Sequence, residues 1–262
     1  MPISSASGVS IDLEDTVSVV IGASEGIGAA IAAGLAAAGS RIVAGGRDVG
    51  RMEPTIAAIR AAGGAVEAED VDVRLPETVT SFARAVIEKH GAPTILVNSM
   101  GGTLIRPMRD VKIEEWDDIH NTHLRGTLLV CQAFVGAMAD KGYGKIINLS
   151  SLSAYRGNPL RGAYAVAKAG LNRLTTVLAT EWGPLGIRVN GIAPTTTRTP
   201  RVTKQLEIDS DREAALAKLS PLGRIAQADD MVGPALFLAS PLSDYVNGQT
   251  LVVDGGLMAV AR

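Results

Sequence analysis

Six short runs of apolar, mostly β-branched residues recur along the chain: "VSVVI" (17–21), "RIVAG" (41–45), "TILVN" (94–98), "KIINL" (145–149), "IRVNGI" (187–192) and "TLVVD" (250–254). Each is nearly continuous rather than alternating, the pattern of strands buried on both faces. Between them apolar residues return at helical spacing over 27–38, 77–90, 113–140, 162–182 and 228–239. A further strand is expected at 65–69, where "AVEAE" is short and half polar. Strands and helices alternating in this way predict an α/β fold: a doubly wound parallel sheet of about seven strands with helices on both faces. Such sheets bind ligands beyond the carboxyl ends of their strands, which directs attention to the residues that follow each run. No repeat, linker or low-complexity segment divides the chain, so residues 1–262 read as one domain.

Composition narrows the choices. The chain is 47% hydrophobic, enough for a large packed core, and its formal net charge of −2 offers no broad surface for nucleic acid. Cys131 is the only cysteine, which excludes an internal disulfide and a cysteine-based zinc site. With His90, His120 and His123 the only histidines, a metal site would have to be carboxylate-rich, and none is expected. The segment "MPISSASGVSIDLEDT" lacks a basic start followed by an apolar core, and no apolar stretch approaches membrane-spanning length. A cytoplasmic protein with no membrane partner is the expectation.

After the first run comes "GASEGIG", in which Gly22, Gly26 and Gly28 lead into "AAIAAGLAAAG". Glycines there let the backbone turn tightly and approach a pyrophosphate, and the helix start offers free N–H groups to an anion; the same glycines can also serve packing alone. After the second run the chain reads "AGGRD". An arginine at that place suits a 2′-phosphate where an acidic residue would hold a ribose hydroxyl, so Arg47 favours NADP(H) over NAD(H). Against it stand Glu25 in the glycine turn and Asp48 beside Arg47, and Arg47 is equally readable as a solvated loop charge.

"YAVAK" (164–168) sets Tyr164 and Lys168 one helical turn apart on one face. Taken alone it is a helix with a half-buried tyrosine and a lysine reaching water. The fourth run, "KIINL", however, leads into "NLSS" (148–151), and this topology brings strand ends and helix starts to one crevice where Ser151, Tyr164 and Lys168 can meet.

The chain as a whole resembles the short-chain dehydrogenase/reductase family, a Rossmann-like fold, from residue 13 to 258. The resemblance rests on the glycine turn at 22–28, Asp72 in "DVDVR", "LVNSMG" (96–101) and "NLSS" thirteen residues before "YAVAK". It continues through "RVNGIAPTTTRTP" (188–200) and "SPLSDYVNGQTLVVDGG" (240–256). The resemblance implies hydride transfer between a nicotinamide and a carbon bearing oxygen, with Tyr164 as proton donor or acceptor. It gives Lys168 the role of lowering the tyrosine pKa and holding the nicotinamide ribose, and Ser151 that of binding the substrate oxygen. It also implies cofactor contacts at Ser24 and Ile27 of the turn, at Asp72 and Val73 near the adenine, and at Asn98, Pro194, Thr197 and Thr199. A homotetramer built on helices near 113–140 and 162–182 is implied as well, and 195–222 is the segment that covers substrate.

Three positions depart from the family pattern. Ile21 stands before the first glycine where threonine is common, and Ser99 and Met100 replace part of "NNAG". In "WDDIHNTHLRG", His123 occupies the place of the asparagine thought to hold a relay water. An imidazole there could hold the same water or shuttle protons with a titration near neutral pH, or be a structural helix histidine. Two functions stay open: an NADP(H)-dependent reductase or dehydrogenase of a small carbonyl or alcohol, a 3-oxoacyl thioester included, and a nucleotide-binding sensor or assembly partner with little turnover. Arg106, Arg109, Arg156 and Arg161 flank the crevice and hint at an anionic substrate, whereas the mixed charges of 195–222 set no sign.

Overall fold

In the computed structural model, residues 10–208 and 210–260 are described. The apolar runs form strands β1 (Val17–Ile21), β2 (Arg41–Gly46), β3 (Val66–Asp70), β4 (Ile95–Asn98), β5 (Gly144–Leu149) and β6 (Ile187–Pro194). Two-residue strands β7 (Thr197–Arg198) and β8 (Ala226–Gln227) pair with each other, and β9 (Thr250–Val253) completes the main sheet. Helices are α1 (Gly26–Ala37), α2 (Glu53–Ala61), α3 (Pro76–His90), α4 (Ile113–His120), α5 (Gly126–Lys141), α6 (Gly162–Trp182), α7 (Pro200–Ile208), α8 (Ser210–Leu219) and α9 (Val232–Ala239).

The main sheet has the order β3-β2-β1-β4-β5-β6-β9, and every pairing is parallel. The strand order reverses between β1 and β4, which opens a crevice at their carboxyl ends.

Continuous apolarity in the strands follows from two cores, one on each face. Val20, Ile42, Ala44, Ile95, Val97 and Ile147 pack with Ile31, Leu35, Ile56 and Leu236 of α1, α2 and α9. Their strand neighbours Val19, Ile21, Val43, Leu96 and Ile146 turn the other way, onto Val79, Phe82, Val130, Phe134 and Leu178 of α3, α5 and α6. Phe82 and Phe134 meet edge to face at 6.0 Å. Each such side chain stabilises the fold by about 1.5–3 kcal/mol, so neither face tolerates a polar strand residue without a partner.

Several elements differ from the pattern-based expectation, among them α7, α8, β7 and β8, none of which it included. Helix α2 was not among the expected helices; its Pro54 sits in the first turn, where a missing N–H costs nothing. The expected helix 113–140 is interrupted: Asn121–Arg125 form one wide π turn between α4 and α5, and His123 lies within it. The segment at 228–239 begins as a tight 3₁₀ turn, Ala228–Met231, before α9. Among the described residues no helix is long and apolar enough to cross a membrane.

Candidate active site

The carboxyl ends of β1, β4, β5 and β6 open into a cleft of about 1160 Å³, roofed by segment 195–222. The glycine turn forms its floor. Gly22 has φ +86°, and a Cβ there would lie 2.5 Å from the Ser99 carbonyl oxygen; a Cβ on Gly28 would lie 2.1 Å from the Gly22 carbonyl oxygen. Only glycine fits either place. Helix α1 begins at this turn with no side-chain cap from Glu25, and Gly26, Ile27 and Gly28 line the cleft. Uncapped N–H groups and the positive helix end against a backbone stripped of Cβ atoms suit a dinucleotide pyrophosphate, so these residues fit the implied cofactor.

Arg47 and Arg51 follow β2 along the same wall. The Arg51 guanidinium stands 3.9 Å from the Glu25 carboxylate, so the acid in the glycine turn faces a cation rather than an open phosphate site. Arg47 has no ion pair or hydrogen bond among the described residues. Asp72 is gripped by Arg74, with Nη2 to Oδ2 at 2.6 Å and Nε to Oδ1 at 2.9 Å, and this bond to the guanidinium lowers the carboxyl pKa. Arg74 also reaches Asp118 at 2.8 Å.

Every cofactor residue expected from sequence lines the cleft except Asn98. Ser24, Val73, Pro194, Thr197 and Thr199 are on its wall. Asn98 is buried beneath it, its Nδ2 donating to Asn148 Oδ1 at 2.9 Å and to Cys131 Sγ at 3.3 Å. As the last residue of β4 it turns into the sheet interior, and Ser99 and Met100 present themselves to the cleft instead.

Ser151, Tyr164, Lys168 and His123 come together at the inner end. Ser151 lies two residues beyond β5 and caps a 3₁₀ turn, its Oγ accepting from the Ser153 N–H at 3.1 Å. Burial raises the Tyr164 pKa, while the Ser151 hydroxyl, Arg161 and Arg201 oppose that rise. Lys168 is 4% exposed, its Nζ donates to the Leu149 carbonyl at 2.5 Å and lies 5.7 Å from the Tyr164 ring centroid. Desolvation pushes the ammonium down to about 7. In the protein without cofactor the lysine is turned to the Leu149 carbonyl, and Arg161 and Arg201 supply the field that favours the phenolate.

His123 is 2% exposed. Its Nε2 lies 2.7 Å from the Gly102 carbonyl, which cannot donate, so Nε2 carries the proton and Nδ1 is a bare acceptor with no partner. Its ring meets Tyr164 edge on at 5.2 Å. Burial, with Lys168 nearby, pushes it down to about 3. A titration near neutral pH is thus corrected: the imidazole stays neutral throughout the physiological range. The backbone accommodates the ring only because residue 101 is glycine, with φ +111° and a Cβ position 2.1 Å from His123 Cε1.

Sequence reasoning passed over Arg51 and Arg74, and read Arg201 only among the mixed charges of 195–222. Arg201 Nη2 donates to the Thr103 carbonyl at 2.8 Å, tying the roof to the loop after β4, and Arg198 pairs with Glu213 between β7 and α8. In the sequence "TRTPR" (197–201) showed Arg198 and Arg201 only as part of a mixed-charge segment. Of the flanking arginines expected to greet substrate, Arg106 is paired with Glu115 at 2.9 Å and Arg109 points to solvent beside Asp110. Among the described residues no group of three or more His, Cys, Asp or Glu could hold a metal.

Comparison with known proteins adds an independent line. The family model described as Enoyl-(Acyl carrier protein) reductase matches residues 22–258. D-threitol dehydrogenase of Mycolicibacterium smegmatis is 38% identical, over 93% of this chain and 93% of that protein. The 3-oxoacyl-[acyl-carrier-protein] reductase of Thermotoga maritima is 34% identical, over 94% and 99%. A crystal structure of a gluconate 5-dehydrogenase from Burkholderia cenocepacia, in complex with NADP and tartrate, superposes with a TM-score of 0.90 at 33% identity, covering 96% of this chain and 98% of that one.

Proposed function

The chain belongs to the short-chain dehydrogenase/reductase family, and from that premise we propose that it is an NADP(H)-dependent oxidoreductase interconverting a secondary alcohol and its carbonyl. The observation that carries the reading is the meeting of Ser151, Tyr164 and Lys168 at the inner end of a cleft whose outer end suits a dinucleotide.

When bound, the nicotinamide would supply the hydride acceptor; in the oxidative direction the substrate hydroxyl proton passes to the Tyr164 oxygen, which must be phenolate to receive it. Ser151 holds the substrate oxygen in line with the phenol. Arg161 and Arg201 favour the phenolate against its burial. Lys168, on the turn below, holds the ribose side of the cofactor and the Leu149 carbonyl. His123 takes the relay position as a neutral acceptor: Nδ1 binds a water proton, and the Gly102 bond fixes the tautomer that leaves Nδ1 free.

NADP(H) is favoured because two cations, Arg47 and Arg51, follow β2 and the Glu25 carboxylate is already answered. The similar gluconate 5-dehydrogenase is crystallised with NADP. Relatives named for a polyol and for a 3-oxoacyl thioester leave both substrate kinds within this reading. A homo-oligomer accords with Val166 and Val177, exposed apolar residues three turns apart on one face of α6.

The test is nicotinamide absorbance with purified protein, either cofactor and a panel of polyols, sugar acids, ketones and 3-oxoacyl thioesters. Turnover faster with NADP(H) supports the reading. Tight NADPH binding with no consumption across the panel moves the protein to the sensor class, for which the shielded, neutral His123 is the structural argument.

A further inference from the structure

Four arginines line the substrate end of the cleft: Arg156 and Arg161 from the loop between β5 and α6, and Arg201 and Arg212 from the roof. Neither Arg156 nor Arg161 has a side-chain hydrogen bond or ion pair among the described residues, although Arg161 is half-buried. A guanidinium offers five N–H donors, and leaving them unanswered in a partly desolvated wall is costly. Six carboxylates share the wall, and most are engaged. Asp72 and Asp118 bind Arg74, Glu115 binds Arg106, and Glu25 faces Arg51. Asp48 stands at the end of β2, on the nucleotide side, and Glu114 is exposed at the start of α4.

The placing of Arg161 is built into the backbone. Leu160 has φ +66°, a left-handed conformation that a γ-branched residue rarely adopts, and its carbonyl accepts from the Arg106 N–H at 2.7 Å. The loop is thereby pinned to the connection after β4. Arg161 then holds the N-cap position of α6, with no side-chain cap bond, three residues before Tyr164, close enough for its charge to act on the phenol. Arg161 and Arg201 both act on the Tyr164 hydroxyl, and Arg212 and Arg201 act on Arg161, which places all four groups within one electrostatic neighbourhood.

We propose that this arginine cluster, led by Arg161, binds an oxyanion head group on the substrate, a carboxylate or phosphate ester, and that the substrate is a short hydroxy or oxo compound. The head group sits about one helical turn from the reacting carbon, because Arg161 stands one turn from Tyr164. That spacing fits a compact acid or sugar phosphate better than a carrier-bound acyl chain, whose phosphate lies far from its oxo group. Arg161 is then a specificity residue. The proposal rests on the oxidoreductase reading for its substrate but not for its anion.

Two measurements separate those dependencies. The first is calorimetric titration of malonate and of inorganic phosphate into the NADP⁺ complex of wild type, Arg161→Gln and Arg161→Lys. Anion binding about 10- to 100-fold weaker in Arg161→Gln, and largely kept in Arg161→Lys, is expected for a charged hydrogen bond. The second is kcat/KM for D-gluconate and D-threonate, for sugar phosphates, and for the neutral polyols sorbitol and D-threitol. Removing Arg161 also takes favourable charge from Tyr164, so every substrate slows; the expected signature is an additional loss of about tenfold or more on the anionic ones. The preferred anionic arm tells carboxylate from phosphate. Equal anion binding by wild type and Arg161→Gln, or faster turnover of neutral polyols with the same fractional loss in both classes, overturns the proposal. Arg161-dependent anion binding with no turnover of any compound instead overturns the oxidoreductase reading and leaves the anion site standing.

Discussion

His123 Nε2 and the Gly102 carbonyl oxygen lie 2.7 Å apart, and that bond determines which nitrogen of the imidazole bears the proton. The ring is consequently neutral, with a buried, unpartnered Nδ1 as its acceptor. Its pKa of about 3, against about 6.5 in the unfolded chain, means that the unfolded state binds the extra proton as pH falls. The His123 contribution to stability is fully present above about pH 6.5 and is lost toward pH 3, at about 1.4 kcal/mol per unit. Urea melts of wild type and His123→Asn between pH 4 and 7 are expected to show wild type losing ground to the variant as pH falls; parallel curves would contradict it.

His123→Ala removes the acceptor but no cofactor contact. Turnover falls by about 10- to 100-fold while NADPH affinity stays within about twofold, read by stopped-flow and fluorescence titration. Unchanged turnover at every pH removes His123 from the relay.

Gly101 is the backbone counterpart of that histidine. Gly101→Ala forces φ +111° on an alanine and drives its Cβ to within 2.1 Å of the imidazole. The expected loss is about 2–4 kcal/mol, and His123→Ala in the same chain restores part of it by removing the clash but not the strain. Additive losses in the double-mutant cycle would show that the two residues do not press on each other.

Lys168 carries a stability cost in the protein without cofactor. Its pKa falls from about 10.5 to about 7 on burial, so the unfolded chain holds the proton more strongly between those values and the cost is greatest at and below pH 7. Lys168→Met is expected to be more stable than wild type by roughly 3 kcal/mol at pH 7, after loss of the Leu149 bond, with the gap closing toward pH 10. The same variant loses activity. A variant less stable than wild type at pH 7 would place the lysine among the stabilising groups.

Arg47→Ala probes cofactor choice. Loss of one charge-assisted bond to a 2′-phosphate weakens NADPH binding by about tenfold and leaves NADH binding unchanged, with the difference shrinking as salt rises. Equal weakening of both cofactors would assign Arg47 to a shared contact.

Strand positions were legible because both faces of the sheet are buried, and continuous valine and isoleucine runs have few other uses in a chain of this kind. The cleft was legible for a related reason: topology places "GASEGIG", "NLSS" and "YAVAK" at the same end of the sheet. What escaped was set by local geometry that residue types do not encode. Helix α2 lay outside the expected helical segments, and the π turn at Asn121–Arg125 carries no compositional mark. The direction of Asn98 depends on where β4 stops, and the burial of His123 depends on a glycine twenty-two residues earlier. Arg161 and Arg106 looked alike in the sequence; one is paired and the other is not, because only Arg106 has a glutamate within reach.

Single-turnover oxidation or reduction by Tyr164→Phe beside wild type, with nicotinamide fluorescence recording cofactor binding in the same samples, is the measurement to make first. The structure predicts equal binding and a rate lower by about 10²–10⁴ in the variant, the range for loss of a positioned acid–base group. Equal rates in the two proteins would mean that the proton travels by another route and that the meeting of Ser151, Tyr164 and Lys168 is not the catalytic centre.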